Sequence, residues 1–197
     1  MKKLAHFTVA LGVLLLLAPF GSAAAAEPVR DLLYVRSFEL EQPYTYTWSL
    51  EKPAVSEGLI VVLEVDPELA RPRQVDMPVL FVGPRPAELA NVGYPSGRMI
   101  VIVPGPLDLT QVPIYFGSTI LPEQVDAEHG AQEMAEALAS GIRPFESSRI
   151  EVARSRGGAP LRVRSIEGIY RSIADLIDTH APDEAERAAD YRRMPAE

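Results

Sequence analysis

The sequence predicts an α+β, strand-rich domain in which an antiparallel, sandwich-like sheet is followed by two appended helices. Short apolar or alternating segments, separated by proline and glycine, follow one another from about residue 32 to 117, which is typical of strands and turns. Helical spacing of apolar residues begins only after that point, and strands grouped before helices favour α+β over βαβ units. An α/β fold with a mixed sheet is the alternative, because the uninterrupted apolar runs at 59–65 and 99–103 would also suit central parallel strands.

Six segments are predicted as strands, namely 32–40, 44–49, 58–66, 78–82, 99–103 and 112–116. The clearest signal is at 44–49, where aromatic and hydroxyl residues alternate, because successive side chains of a strand point to opposite faces. Pro113 interrupts the last segment and would place it at the edge of a sheet. The stretch 85–98 contains several prolines and glycines and is predicted as a long loop, or a short helix with a turn, that could line a binding rim.

The first helix is predicted over residues 131–142, where apolar side chains recur at helical spacing. Gly141 followed by Pro144 supplies the expected stop. Its start is open between Pro122 as the first residue and Asp126 as the cap.

Alternating residues at 149–153 and 161–164 predict a β-hairpin whose arginines point outward. Ser165 then begins a second helix, whose wide apolar stripe must pack on the sheet. The stripe consists of Ile166, Ile169, Tyr170, Ile173, Leu176 and Ile177. Residues 182–197 are predicted as a polar tail, helical or frayed, so the globular domain spans 27–181.

The first 26 residues have the layout of a bacterial signal peptide. Lys2 and Lys3 precede a charge-free apolar run over 7–17, which is too short to span a bilayer comfortably. The alanines at 24–26 fit the small-x-small rule, so cleavage is expected before Glu27. The predicted location is periplasmic or extracellular, with no stable membrane insertion after cleavage. An uncleaved leader that acts as an anchor is the alternative.

Composition excludes several classes of function. The chain has no cysteine, so disulfides, thiolate metal ligands and thiol nucleophiles are excluded. Its formal charge is −8, and because the leader holds two lysines and no acid, the cleaved chain would carry −10. This acidity argues against nucleic-acid binding, which needs clustered Lys and Arg.

The segment 143–171 is locally basic, with seven arginines against three glutamates. We interpret it as pairing with acidic parts of the same molecule, and an anionic ligand is the alternative.

The aromatic residues of 44–49 are the best candidates for ligand binding. Tyr44, Tyr46 and Trp48 would lie on one face of a strand, where rings spaced by ~7 Å could form a platform for a sugar or peptide. The competing interpretation, which we favour, places Tyr44 and Trp48 in the core, because large aromatic side chains usually bury themselves.

Side chains suited to catalysis are few. After the leader the histidines are His129 and His180, each close in sequence to carboxylates. His129 could share a cation with Glu133 on one helix face, although a solvated face explains both residues. His180 would lie at the end of a helix, where the dipole favours the imidazolium ion.

The sequence therefore predicts no catalytic residue, no metal site and no cofactor. We expect an exported, non-enzymatic binding domain that contacts a protein or glycan of the cell envelope, and no nucleic acid. The alternative is an exported hydrolase or metal-dependent enzyme that uses scattered carboxylates with His129 or His180.

Overall fold

The computed structural model describes residues 28–70, 78–117 and 121–195, and the predicted signal peptide lies outside the described residues. The strands are β1 (Val29–Thr45), β2 (Ala54–Val65), β3 (Leu80–Val82), β4 (Arg85–Pro86), β5 (Glu88–Gly93), β6 (Arg98–Pro104), β7 (Ile114–Phe116) and β8 (Leu161–Val163). The α-helices are α1 (Pro67–Ala70), α2 (Ala127–Ala139), α3 (Ser147–Gly157), α4 (Ile166–His180) and α5 (Ala185–Arg192). Short 3-10 turns at Pro122–Gln124 and Pro182–Glu184 precede α2 and α5.

The strands form two separate sheets, which confirms the predicted α+β class. The larger has the order β5–β6–β2–β1–β8 and is antiparallel except where β8 runs parallel to β1. The smaller has the order β4–β3–β7 and is antiparallel throughout. Two connected antiparallel strands of the large sheet, β1 and β2, are long and give it most of its length.

Both faces of the large sheet are covered. On one face Val61 of β2 belongs to the same apolar cluster as Ile114 of the small sheet and Ile150 of α3. On the other face Ile60 belongs to a cluster with Ile173 of α4. Because consecutive residues of β2 enter different clusters, its central part has to be apolar at every position, and this explains the uninterrupted apolar run over 59–63.

Helix α2 covers the outer face of the small sheet. Phe81 of β3 and Tyr115 of β7 stack with ring centroids 5.5 Å apart, and both share a cluster with Ala137 of α2. Gly130 lets the helix approach closely, because a Cβ atom there would lie 1.9 Å from the carbonyl oxygen of Pro84. The layers in order are therefore α2, the small sheet, the large sheet, and α4 with α5.

Two strand predictions are wrong in part. The strand expected at 44–49 ends at Thr45, because the Tyr46 amide donates to the Pro53 carbonyl at 2.9 Å and closes a loop that leads into β2. The loop expected at 85–98 contains β4 and the six-residue β5. Strand β5 forms by pairing with β6, a tertiary contact that its proline- and glycine-rich surroundings hide from sequence reasoning.

The hairpin prediction is wrong as well. Residues 147–157 form α3, and 161–163 form β8, which pairs in parallel with β1. Ile150, Ala153 and Gly157 are buried on one helix face, and because Ala153 and Gly157 are small, the sequence shows no apolar stripe. A Cβ atom at Gly157 would lie 1.9 Å from the carbonyl oxygen of Val35, so the helix lies directly on the β1 backbone.

The two predicted helices are confirmed. Asp126 caps α2 and accepts the His129 amide at 2.8 Å, whereas Pro122 opens the preceding 3-10 turn. Helix α4 has Ser165 as its N-cap and buries most of its apolar stripe. The segment predicted as a tail holds α5, which buries Ala188 and Tyr191 in the same cluster as α4. No described helix is both long and apolar enough to cross a bilayer.

Arginines of the basic segment bind within the molecule. Arg162 pairs with Glu39 of β1 at 3.1 Å, and Arg149 lies 3.8 Å from the Asp31 carboxylate. Arg156 donates to the Leu33 carbonyl at 3.1 Å. These contacts join α3 and β8 to β1.

Candidate functional site

A cleft of about 390 Å³ lies beside the β4 edge of the small sheet. Four segments line it, namely the 46–57 stretch that includes the start of β2, residues 84–86, residues 104–105, and residues 125–127 before and at the start of α2. The loop after β1 is tied to the last of these segments, because the Leu50 amide donates to the Val125 carbonyl at 2.8 Å. Folding thus brings four separate parts of the chain to one concave surface.

The surface of the cleft is largely apolar. Tyr46 is 1% exposed, and its hydroxyl donates to the carbonyl oxygen of Pro86, which fixes the ring against β4. The other apolar residues of the lining are prolines, valines and alanines, namely Pro53, Ala54, Val55, Pro84, Pro86, Pro104, Val125 and Ala127. Proline has no amide hydrogen to donate, so this lining offers ring surfaces to a ligand.

Charged side chains make the cleft negative. Glu51, Glu57 and Asp126 line it together with one cation, Arg85. The Arg85 guanidinium donates to the Pro104 carbonyl, so part of its donor capacity is used inside the protein. Hydrogen bonds, first from the His129 amide and then from its ring, lower the pKa of Asp126, so this carboxylate is charged at neutral pH.

A buried carboxyl among tyrosines lies behind the cleft. Glu88 is 8% exposed and accepts a hydrogen bond from the Tyr170 hydroxyl of α4. Burial raises the pKa of Glu88, and Glu88 in turn contributes to the raised pKa of Tyr44. The Tyr191 hydroxyl donates to the Ala90 carbonyl at 2.6 Å. The hydrogen bonds of Tyr170 and Tyr191 thus hold α4 and α5 against β5.

The three aromatic residues predicted to bind a ligand do not share one surface. Tyr46 lines the cleft, whereas Tyr44 packs against the core on the α4 side. Their rings meet edge to face, with centroids 6.4 Å apart and planes at 81°, so the pair forms no flat platform. Trp48 is half-buried and belongs to none of the apolar clusters in the described part of the chain. The predicted core position is therefore found in part for Tyr44 and is wrong for Trp48. Ligand binding by the three stays a prediction.

The two histidines lie in different places. The His129 ring is 2.7 Å from the Asp126 carboxylate at the edge of the cleft and is exposed. His180 packs edge-on against Tyr34 with centroids 6.5 Å apart. His180 is the last residue of α4, as predicted, but burial lowers its pKa and so acts against the predicted stabilisation of the imidazolium ion. Within the described residues, no group of three or more histidines and carboxylates is placed to hold a metal ion.

Sequence reasoning missed most of this cleft. Arg85, Glu57 and Asp126 come from separate segments, and no local pattern marks them as neighbours. The sequence signals were the aromatic alternation, which contains Tyr46, and the prediction that the 85–98 loop could line a binding rim, which contains Arg85. No protein-family model matches the chain, and neither a curated protein nor a solved structure does.

Proposed function

We propose that this protein is an exported binding domain of the bacterial periplasm or cell envelope, and that its cleft holds a cationic segment of a partner protein. The signal-like leader supports export. The observation that carries the proposal is the combination of an apolar lining around Tyr46 with three carboxylates, Glu51, Glu57 and Asp126.

Arginine and lysine side chains match this combination. Each has an apolar stem, which can lie on proline rings, and a charged end, which can reach a carboxylate. A sugar would need an exposed aromatic face on which to stack, and Tyr46 is almost fully covered. A protein segment with a basic side chain is therefore favoured over a glycan.

Peptide titration tests the proposal. The probes are Ac-Ala-Arg-Pro-Arg-Ala-amide and its counterpart with glutamate at both arginine positions. Binding is followed by calorimetry and by the fluorescence of Trp48, the sole tryptophan, which lies in the loop that lines the cleft. We expect the arginine peptide to bind, more weakly as salt is raised, and the glutamate peptide not to bind.

Matched variants locate the site. Glu57→Gln removes one cleft charge and should weaken binding of the arginine peptide by about 3- to 10-fold, the effect of one partly exposed ion pair. Glu41→Gln removes an exposed charge of β1 outside the cleft and should leave binding unchanged. Equal binding of both peptides, or no binding of either, would reject the cationic ligand.

A hydrolase that uses His129 is the second candidate, because Asp126 joins this histidine to the cleft. The test is release of p-nitrophenol from short-chain esters. If His129 is the general base, His129→Ala abolishes turnover and leaves peptide binding intact. Turnover that is absent, or that persists in the variant, rejects this candidate.

A further inference from the structure

A second groove follows the opposite edge of the small sheet. It has a volume of about 590 Å³ and runs beside β7, between this strand, the first residues of β1 and the connection from α2 to α3. In the part of the chain that the structure describes, β7 is the last strand of its sheet and pairs only with β3. The groove shares no lining residue with the cleft.

The backbone of β7 presents hydrogen-bonding groups toward this groove. The Gly117 amide donates to the Val79 carbonyl at 2.9 Å, and the Gly83 amide donates to the Pro113 carbonyl at 2.8 Å. In an antiparallel pair such bonded positions recur at every second residue, so Tyr115 also faces β3. The amide and carbonyl groups of Ile114 and Phe116 therefore point away from β3, toward the free edge.

Apolar side chains flank this edge on both faces of the sheet. Phe145 packs with the cluster between the two sheets, and Ile142 packs with the cluster beneath α2. Both residues line the groove and are only half-buried. An added strand directs alternate side chains to opposite faces, so each face would find an apolar neighbour.

The charges of the groove have the opposite sign to those of the whole chain. Arg143 and Arg149 line it with one acid, Glu146, in a molecule whose formal charge is −8. The Arg149 guanidinium lies 3.8 Å from the Asp31 carboxylate and 5.7 Å from the centroid of the Phe145 ring, and its side chain is still 50% exposed, so it can bind a second carboxylate. Arg143 donates to the Leu138 and Ile142 carbonyls, which leaves other guanidinium hydrogens available.

From these observations we infer that the β7 groove binds an extended acidic segment of a partner protein as a fourth strand of the small sheet. The free backbone groups of Ile114 and Phe116 bond the segment, apolar side chains at its centre contact Phe145 and Ile142, and its acidic residues pair with Arg143 and Arg149. This is strand addition, in which main-chain bonds give affinity and side-chain contacts give specificity. The inference does not rest on the function proposed for the cleft.

Amide hydrogen exchange of the whole protein, resolved by NMR, tests the inference. The probe is Ac-Glu-Val-Val-Val-Glu-amide, whose central valines point to both faces of an added strand. In the free protein the Ile114 and Phe116 amides should exchange fast and the Tyr115 amide slowly. Saturating peptide should slow exchange at Ile114 and Phe116 at least 10-fold and leave Tyr115 unchanged. The same peptide with an N-methyl group on every residue is the control and should protect neither amide, because the methyl groups on both edges keep its backbone from pairing with β7.

Charge specificity is tested with variants of α3. Arg149→Gln should weaken binding of the acidic peptide about 3- to 10-fold, whereas Arg154→Gln, an exposed arginine of the same helix outside the groove, should not. Glu57→Gln in the cleft should also leave it unchanged, which separates the two sites. Equal binding of a peptide with lysine at both ends would overturn the acidic partner.

Protection of the Ile114 and Phe116 amides in the absence of peptide would overturn the free edge. If this protection rises with protein concentration, a second copy of the chain covers the edge. If it does not, the chain's own residues cover it.

Discussion

At the scale of single residues, Gly157 fixes the distance between helix α3 and strand β1. Gly157 ends α3 where its backbone meets β1, and a Cβ atom there would overlap the Val35 carbonyl oxygen at 1.9 Å. Alanine normally raises helix stability by about 1 kcal/mol over glycine. Here we expect Gly157→Ala to lower the free energy of unfolding by about 1–3 kcal/mol, because α3 must move off the sheet. Urea unfolding measures the change, and Ser155→Ala at an exposed position of α3 is the control. A stabilised Gly157→Ala protein would show that α3 is not in this contact.

Glu88 predicts how stability depends on pH. Burial raises its folded-state pKa above the ordinary value of 4.5, so the folded protein holds this proton more tightly than the unfolded chain. The contribution is therefore fully present below pH 4.5 and is lost as the pH rises through the folded pKa. Glu88→Gln stays neutral and can still accept from Tyr170. We expect the free energy of unfolding to fall less between pH 5 and pH 8 in Glu88→Gln than in the wild type or the Glu41→Gln control. If the free energy of unfolding depends on pH in the same way in Glu88→Gln and in the wild type, the pKa of Glu88 is not raised in the folded protein.

At the scale of elements, α4 anchors one whole face of the large sheet. Ile169, Ile173 and Ile177 are each 0% exposed and contact the strands from one side. Removing a large buried side chain costs its transfer free energy and leaves a cavity. Ile173→Ala should therefore lower the free energy of unfolding by about 2–5 kcal/mol, measured in urea, whereas Thr179→Ala on the exposed side should change it by less than about 0.5 kcal/mol. An unchanged midpoint for Ile173→Ala would remove α4 from the core.

Elements with a strong and complete local signal could be predicted, and the others could not. The apolar runs of β2 and β6 and the stripe of α4 are long enough to decide their own structure. Helix α3 could not be found, because its buried face is Ile150, Ala153 and Gly157, and two of these have almost no side chain. Strand β5 was hidden in a similar way, since its structure depends on pairing with β6.

At the scale of the whole molecule, the candidate site was the least predictable part. The cleft combines Tyr46, Arg85 and Asp126, which are far apart in sequence and meet only because the small sheet packs beside the loop after β1. Neither their residue types nor their local spacing indicates this meeting. Strand β7 does lie at a sheet edge, as Pro113 predicted. The carbonyl of Pro113 bonds to Gly83, however, so its missing amide hydrogen is on the side that pairs with β3 and does not explain the free edge.

At the scale of the whole chain, the predicted cleavage site lies just before the first strand. The expected cleavage before Glu27 would leave two residues before β1, whose first residue, Val29, is 5% exposed and belongs to the core. Cleavage there removes no core side chain, whereas a cut a few residues later would. In a bacterial host we expect the exported protein to have the intact mass of residues 27–197. Ala26→Asp, which places a charge where the cleavage rule requires a small residue, should leave the precursor uncut. An exported wild-type protein that retains residues 1–26 would replace the free domain with one anchored by its leader.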